Sequence, residues 1–272
     1  MIEHLTYGTS GSGEYPLEAT RIGDGKNVML LTFALHGWED HYAKDGKELV
    51  ATADSLEKYL TEHYDLVRNG DWSVYICRLV NPDGLYLGTT CDGKGRCTTT
   101  YITSSGSVST AHGVDLNRSF DYNWEKFSGD RNFNGDKPLA AVEARALAGF
   151  AKEVKGKGYN VAIDTHGWLS QIITNHGKGA LYEAFLKQFP DNTYASLSGG
   201  KGYFASWAGY SLGYDACLFE FPKAVTSHDV FVNGNYAGKY RSVIVSLLRN
   251  YHGTGASAVI RPADTLIELT GN

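Results

Sequence analysis

Four side chains stand where they could do chemistry together. His36 and Glu39 form a His-x-x-Glu pair, which brings an imidazole and a carboxylate close across a tight turn. His166 and Glu220 follow far downstream. Two imidazoles and one carboxylate make a complete ligand set for a catalytic zinc, which keeps its fourth position open. The local pair alone is weak evidence. In a chain with nine histidines, His36 and Glu39 read more readily as a surface turn with a charged neighbour.

The elements around these residues give the set more weight. Residues 28–35 form a continuous apolar run, as expected of a strand covered on both faces, and His36 closes it. Residues 73–80 read as a second strand, ending at the turn signal Asn81-Pro82-Asp83-Gly84. Residues 161–166 form a third, closed by His166, and residues 216–221 a fourth, with Glu220 near its end. Helical spacing over 46–64 places Leu49, Val50, Ala53, Leu56 and Leu60 on one face. Further helices are expected from Pro138 to about Val154, near 179–189 and over 236–250, with long loops at 84–113 and 192–214.

Strands alternating with helices predict an α/β fold. The expectation is one domain over residues 1–272, with a central mixed, largely parallel twisted sheet flanked by helices on both faces. In such sheets ligands bind in the crevice at the carboxyl ends of the strands. Three separate strand ends would deliver His36, Glu39, His166 and Glu220 to that crevice.

Composition narrows the partners. The net charge of −5, without a basic stripe, argues against nucleic acid. No apolar run approaches the roughly 20 residues of a membrane span. The abundance of Tyr, Gly, Ser and Thr favours an extracellular or cell-envelope location after signal removal over a cytoplasmic one, and a monomer is expected. Cys77 and Cys217 lie in strand-like runs and read as buried free thiols. Cys91 and Cys97 flank a glycine-rich loop and would form a local disulfide in an exported protein.

Five ordered segments resemble the zinc carboxypeptidase family, also called the funnelins. They are His36-Gly37-Trp38-Glu39, Asn81-Pro82-Asp83-Gly84, the run from Gly113 to Phe120 containing Val114-Asp115-Leu116-Asn117-Arg118, Asp164-Thr165-His166, and Leu218-Phe219-Glu220-Phe221. The resemblance implies one zinc per chain held by His36, Glu39 and His166, with Glu220 as general base and acid. Asp115 would orient a ligating imidazole. Asn117 and Arg118 would hold a substrate carboxylate, Arg96 would stabilise the oxyanion, and Tyr194 would be the tyrosine over the site. His112 could line the cleft. Other histidines are read as surface or packing residues.

The opening residues and the His-Gly-Trp-Glu motif look most like the bacterial enzymes that act on murein peptides. The implied activity is hydrolysis of a γ-D-glutamyl-diamino acid bond. The alternatives are a conventional carboxypeptidase, a zinc deacylase of N-acyl amino acids, and an inactive peptide- or wall-binding module.

Overall fold

The computed structural model describes residues 1–88, 96–110 and 113–254. The described strands are β1 (Ile2–Thr9), β2 (Pro16–Gly23), β3 (Asn27–Phe33), β4 (Trp72–Cys77), β5 (Tyr101–Ile102), β6 (Val108–Ser109), β7 (Asn160–Gly167), β8 (Gln171–Thr174), β9 (Thr193–Ser196) and β10 (Asp215–Phe221). The α-helices are α1 (Gly46–Glu62), α2 (Tyr64–Asn69), α3 (Pro82–Leu87), α4 (Val142–Glu153), α5 (Ala180–Gln188), α6 (Phe204–Leu212), α7 (His228–Asn233) and α8 (Tyr236–Asn250).

Eight strands form one mixed sheet in the order β1-β2-β4-β3-β7-β10-β8-β9. Four of its seven pairings are parallel, and three of these lie side by side at the centre. The central strands β3, β4, β7 and β10 are the apolar runs expected from the sequence. Their side chains alternate between two cores. Met29, Leu31, Val161, Ile163, Cys217 and Phe219 face a core closed by α1, α5 and α8. Leu30, Ala162, Ala216 and Leu218 face a second, closed by α4 and α6. Helices therefore cover both faces, as expected.

β10, which carries Glu220, is clamped by aromatic packing. Phe219 stacks on Phe185 at 4.3 Å, and Phe221 meets Tyr240 at 5.9 Å. Rings of this size are worth about 3–5 kcal/mol each when truncated to alanine in a core, so the register of β10 against its neighbours is strongly held.

Several expectations are corrected. β1 and β2 pair antiparallel at one edge and were invisible because the outer strand is largely solvent-exposed, with little apolar alternation. The turn at 81–84 opens α3 instead of ending in a loop. Asn81 accepts a hydrogen bond from the Gly84 N–H at 2.9 Å, and Pro82 fits the first turn. The helix expected from Pro138 begins at Val142, after an extended Ala141. The stretch 192–214 holds β9 and α6, and the apolar residues of α6 face the second core. Cys77 and Cys217 are buried free thiols. Cys97 is buried and disulfide-bonded, while Cys91 and His112 lie outside the described residues. No helix of the described residues is long and apolar enough to cross a membrane.

Candidate metal centre

Because β3, β7 and β10 run parallel, their carboxyl ends open on the same side of the sheet. The loop after β3 carries His36 and Glu39, His166 is the residue before the last of β7, and Glu220 pairs with His166 across the β7–β10 ladder. All four are buried. The candidate ligand atoms of His36, Glu39 and His166 lie within 4.8 Å of one another.

The two imidazoles are oriented alike. His36 holds Nε2 at 3.1 Å from Asp115 Oδ1 and turns Nδ1 to Glu39 Oε2 at 3.2 Å. His166 holds Nε2 at 2.9 Å from Asp164 Oδ2 and turns Nδ1 to Glu39 Oε1 at 3.4 Å. An aspartate on Nε2 fixes the proton there and leaves the Nδ1 lone pair for a metal. Arg96 agrees with that tautomer, since its Nη1 donates towards His36 Nδ1 at 3.3 Å.

Charge at the centre follows from its burial. Burial alone would raise the Glu39 carboxyl, but the charges of His36 and His166 win and lower it to about 2. Burial pulls the His166 imidazole down, yet Asp164 and Glu39 together push it well above its ordinary value. Asp164 and Glu39 thus favour positive charge at His166, whether a proton or a metal cation carries it. Glu39 Oε1 is buried without a hydrogen-bond partner, an atom left with a lone pair to donate. Nitrogen and oxygen donors in this number, each imidazole backed by a carboxylate, fit a zinc ion.

Glu220 stands beside this set. Burial pushes its carboxyl up to about 7 against the opposing pull of His166. Its Oε2 is also buried without a partner. A divalent cation nearby would draw that value down again.

Around the centre lies a cavity of about 530 Å³. Arg96, Asn117, Arg118, Tyr203, Gln171, Ile173, Leu218 and Lys223 are among its lining residues. Arg96 is anchored by an ion pair of 2.9 Å to Asp115, which also binds His36. Asn117 is committed through its Oδ1, which accepts from the Phe204 N–H at 3.0 Å, while its Nδ2 lies 3.4 Å from His166 Nε2, a nitrogen that carries a proton and does not accept. Arg118 donates to the Asn117 carbonyl at 2.9 Å and lies over the Tyr203 ring at 4.7 Å.

Tyr194 is not brought to the site. It sits on β9, edge-on to Tyr182 at 5.5 Å, and packs against the first core. The register of β9 on β8, with Tyr194 opposite Ile172, fixes that placement. Tyr203 occupies the cavity instead, at the entry to α6. The sequence places four tyrosines in this stretch, Tyr194, Tyr203, Tyr210 and Tyr214, and nothing local chooses among them. It also gave no role to Asp164, although a residue two before His166 in a strand must share its face. Lys223 was missed altogether, and nothing in the sequence marks it.

Residues 49–207 match the zinc carboxypeptidase family. The chain belongs to that family. The matched stretch holds Arg96, Asp115, Asn117, Arg118 and His166, while His36, Glu39 and Glu220 fall outside it. Across 99% of its length the chain is 33% identical to bacteriocin BCN5 of Clostridium perfringens, of which it covers 28%. It thus spans under a third of that relative. Carboxypeptidase A of Helicoverpa armigera has the same fold, with a TM-score of 0.66, 19% identity, and 90% of this chain and 67% of that one covered. Murein-tripeptide amidase MpaA of Escherichia coli O157 shares it as well, at 0.56, 22% identity and 92% of both chains. At these identities the likeness to solved structures concerns the fold alone.

Proposed function

We propose that this chain is a zinc-dependent peptidase acting next to a carboxylate-bearing residue, its substrate the γ-D-glutamyl-diamino acid bond of murein peptides. The observation that carries the reading is the inward-facing pair of Nδ1 atoms on His36 and His166, closing on Glu39 beside a buried, partnerless Glu220 oxygen.

Zinc held by His36, Glu39 and His166 would supply Lewis acidity towards a carbonyl and would acidify water. The remaining chemistry belongs to the chain. Glu220 takes a proton from water and returns it to the leaving amine. Arg96 faces developing negative charge on the scissile carbonyl, and its ion pair with Asp115 keeps the guanidinium in place. Asp115 and Asp164 orient the two imidazoles. Arg118, levelled by Tyr203 and the Asn117 carbonyl, presents its remaining N–H groups to a substrate carboxylate. Asn117 spends its Oδ1 on the Phe204 N–H, so it acts by holding the Arg118 segment.

Three features favour murein peptides. The relative that aligns over nearly the whole chain is a bacteriocin, and a murein-tripeptide amidase shares the fold over 92% of both chains. The cavity also suits a substrate with more than one carboxylate: among the described residues, Arg118 and Lys223 line it without forming an ion pair. The competing reading is a conventional carboxypeptidase, favoured by the higher structural similarity to the Helicoverpa enzyme.

One experiment separates these readings. The zinc-loaded protein is incubated with a γ-D-glutamyl-diaminopimelate peptide and with ordinary α-linked peptides, with and without a chelator. Chelator-sensitive cleavage of the γ-linked bond is expected. Cleavage of α-linked peptides alone would make it a carboxypeptidase. Binding of either peptide without turnover would make it an inactive binding module.

A further inference from the structure

The loop that carries His36 and Glu39 is strained, and its strain has a visible restraint. Ala34, Asp40 and Lys44 all adopt left-handed backbone, with φ of 50°, 64° and 58°. Residues with a Cβ disfavour that region and persist there only when surrounding contacts hold them.

Around Asp40 those contacts converge on Asp45, which accepts from the amides on both sides of it. Its side chain is fully buried and meets no cation within ion-pair distance among the described residues. One oxygen, Oδ1, accepts the Glu39 N–H at 2.7 Å. The other, Oδ2, accepts the His41 N–H at 2.9 Å, the Tyr42 N–H at 3.4 Å and the Trp168 indole N–H at 2.9 Å. Asp45 is the N-cap residue of α1, where an aspartate ordinarily accepts from the first helical amides, yet it makes no such bond. Its carboxylate has been turned back onto the loop. Gly46 allows this approach, because a Cβ there would lie 1.8 Å from the Gly37 carbonyl oxygen.

The partners of Asp45 belong to two ligand-bearing segments. Glu39 is a candidate ligand, and Trp168 follows His166 at the end of β7. We infer that Asp45 is a positioning residue for the metal centre, setting the spacing between the Glu39 and His166 segments by gripping the backbone of one and the indole of the other. It touches neither metal nor substrate. The inference rests on the zinc reading proposed above.

Zinc affinity of the full chain, titrated against a chromophoric chelator, provides the test, alongside the melting temperature of the metal-free form. D45N keeps the shape but puts an N–H₂ where the loop amides need an acceptor. Its zinc affinity should fall on the order of 10- to 100-fold, as for other groups that support metal ligands. W168F removes one of the four donors and should weaken zinc by a smaller factor. E143Q, at a buried carboxylate away from the cavity, should leave zinc affinity unchanged. If D45N lowers the melting temperature but binds zinc as tightly as the wild type, Asp45 is purely structural and the inference fails. If D45N does not fold, W168F decides in the same way. A wild type that binds no zinc fails the metal reading itself, which is a different result from equal affinities.

Discussion

Two buried glutamates in this molecule live in opposite electrostatic worlds. Glu39 sits between His36 and His166, and their charges lower it to about 2. Glu143, in the first turn of α4, is just as buried, but burial dominates and raises it to about 7. Its Oε1 accepts the Gly11 N–H at 2.6 Å, and its Oε2 has no partner. The nearby Asp83 anchors the same N-terminal turn through Ser12 and adds negative charge. Burial is common to both sites, so it is the company of cations that decides whether a carboxylate stays ionised. At the strand ends the fold assembles imidazoles around Glu39. Beneath the β1–β2 turn it assembles hydroxyls, amides and another carboxylate, and the one cation that acts on Glu143, Arg145, is outweighed by burial.

The sharpest way to break this contrast is at the centre. E220Q should lower hydrolysis by about 10²- to 10⁴-fold, the usual worth of a general base and acid, while zinc content, read by atomic absorption, stays at one per chain. Unchanged turnover would remove Glu220 from the mechanism. E39Q takes away the charge that balances two imidazoles. Losing one partner of a buried pair costs about 3–5 kcal/mol, so bound zinc should fall well below stoichiometric. Retention of full zinc would show that Glu39 is no ligand.

Glu143 tests the other half. Its folded value of about 7 lies above the ordinary 4.5, so the native state holds an extra proton between those limits. Its effect on stability is harmless below about pH 4.5, grows as pH rises to about 7, and is constant beyond. E143Q should therefore unfold at higher denaturant above pH 7, by up to about 3 kcal/mol, and lose that part of the pH dependence. Identical pH profiles for wild type and variant would contradict the dominance of burial over the pull of Arg145. The smallest effect is expected at the cavity wall. R118M removes a charge-assisted hydrogen bond worth about 1.5–3 kcal/mol, raising KM for carboxylate-bearing peptides without altering zinc content. An unchanged KM would move substrate recognition elsewhere.

Much of this was legible before any coordinates. The apolar runs of β3, β4, β7 and β10 announce buried parallel strands, and His36, His166 and Glu220 stand at or near their ends. The edge strands β1 and β2 were hidden because an exposed strand carries no strong apolar alternation. α6 was hidden because a glycine- and tyrosine-rich stretch looks like a loop until its apolar face finds a core. Tyr194 was misplaced for a related reason: one residue of register in β9 decides which side of the sheet a side chain meets.

The sequence by itself determined the candidate ligand types, their order along the chain and the strand ends that carry them, since periodicity and motif spacing are local properties. Only the tertiary structure decided which nitrogen of each imidazole faces Glu39, that Asp164 backs His166 as Asp115 backs His36, and that Tyr203 lines the cavity. It also decided that Asp45 turns away from its own helix to grip the ligand loop. Those outcomes depend on contacts between residues far apart in the chain, and no local pattern encodes the direction in which a buried hydrogen-bonding group must point.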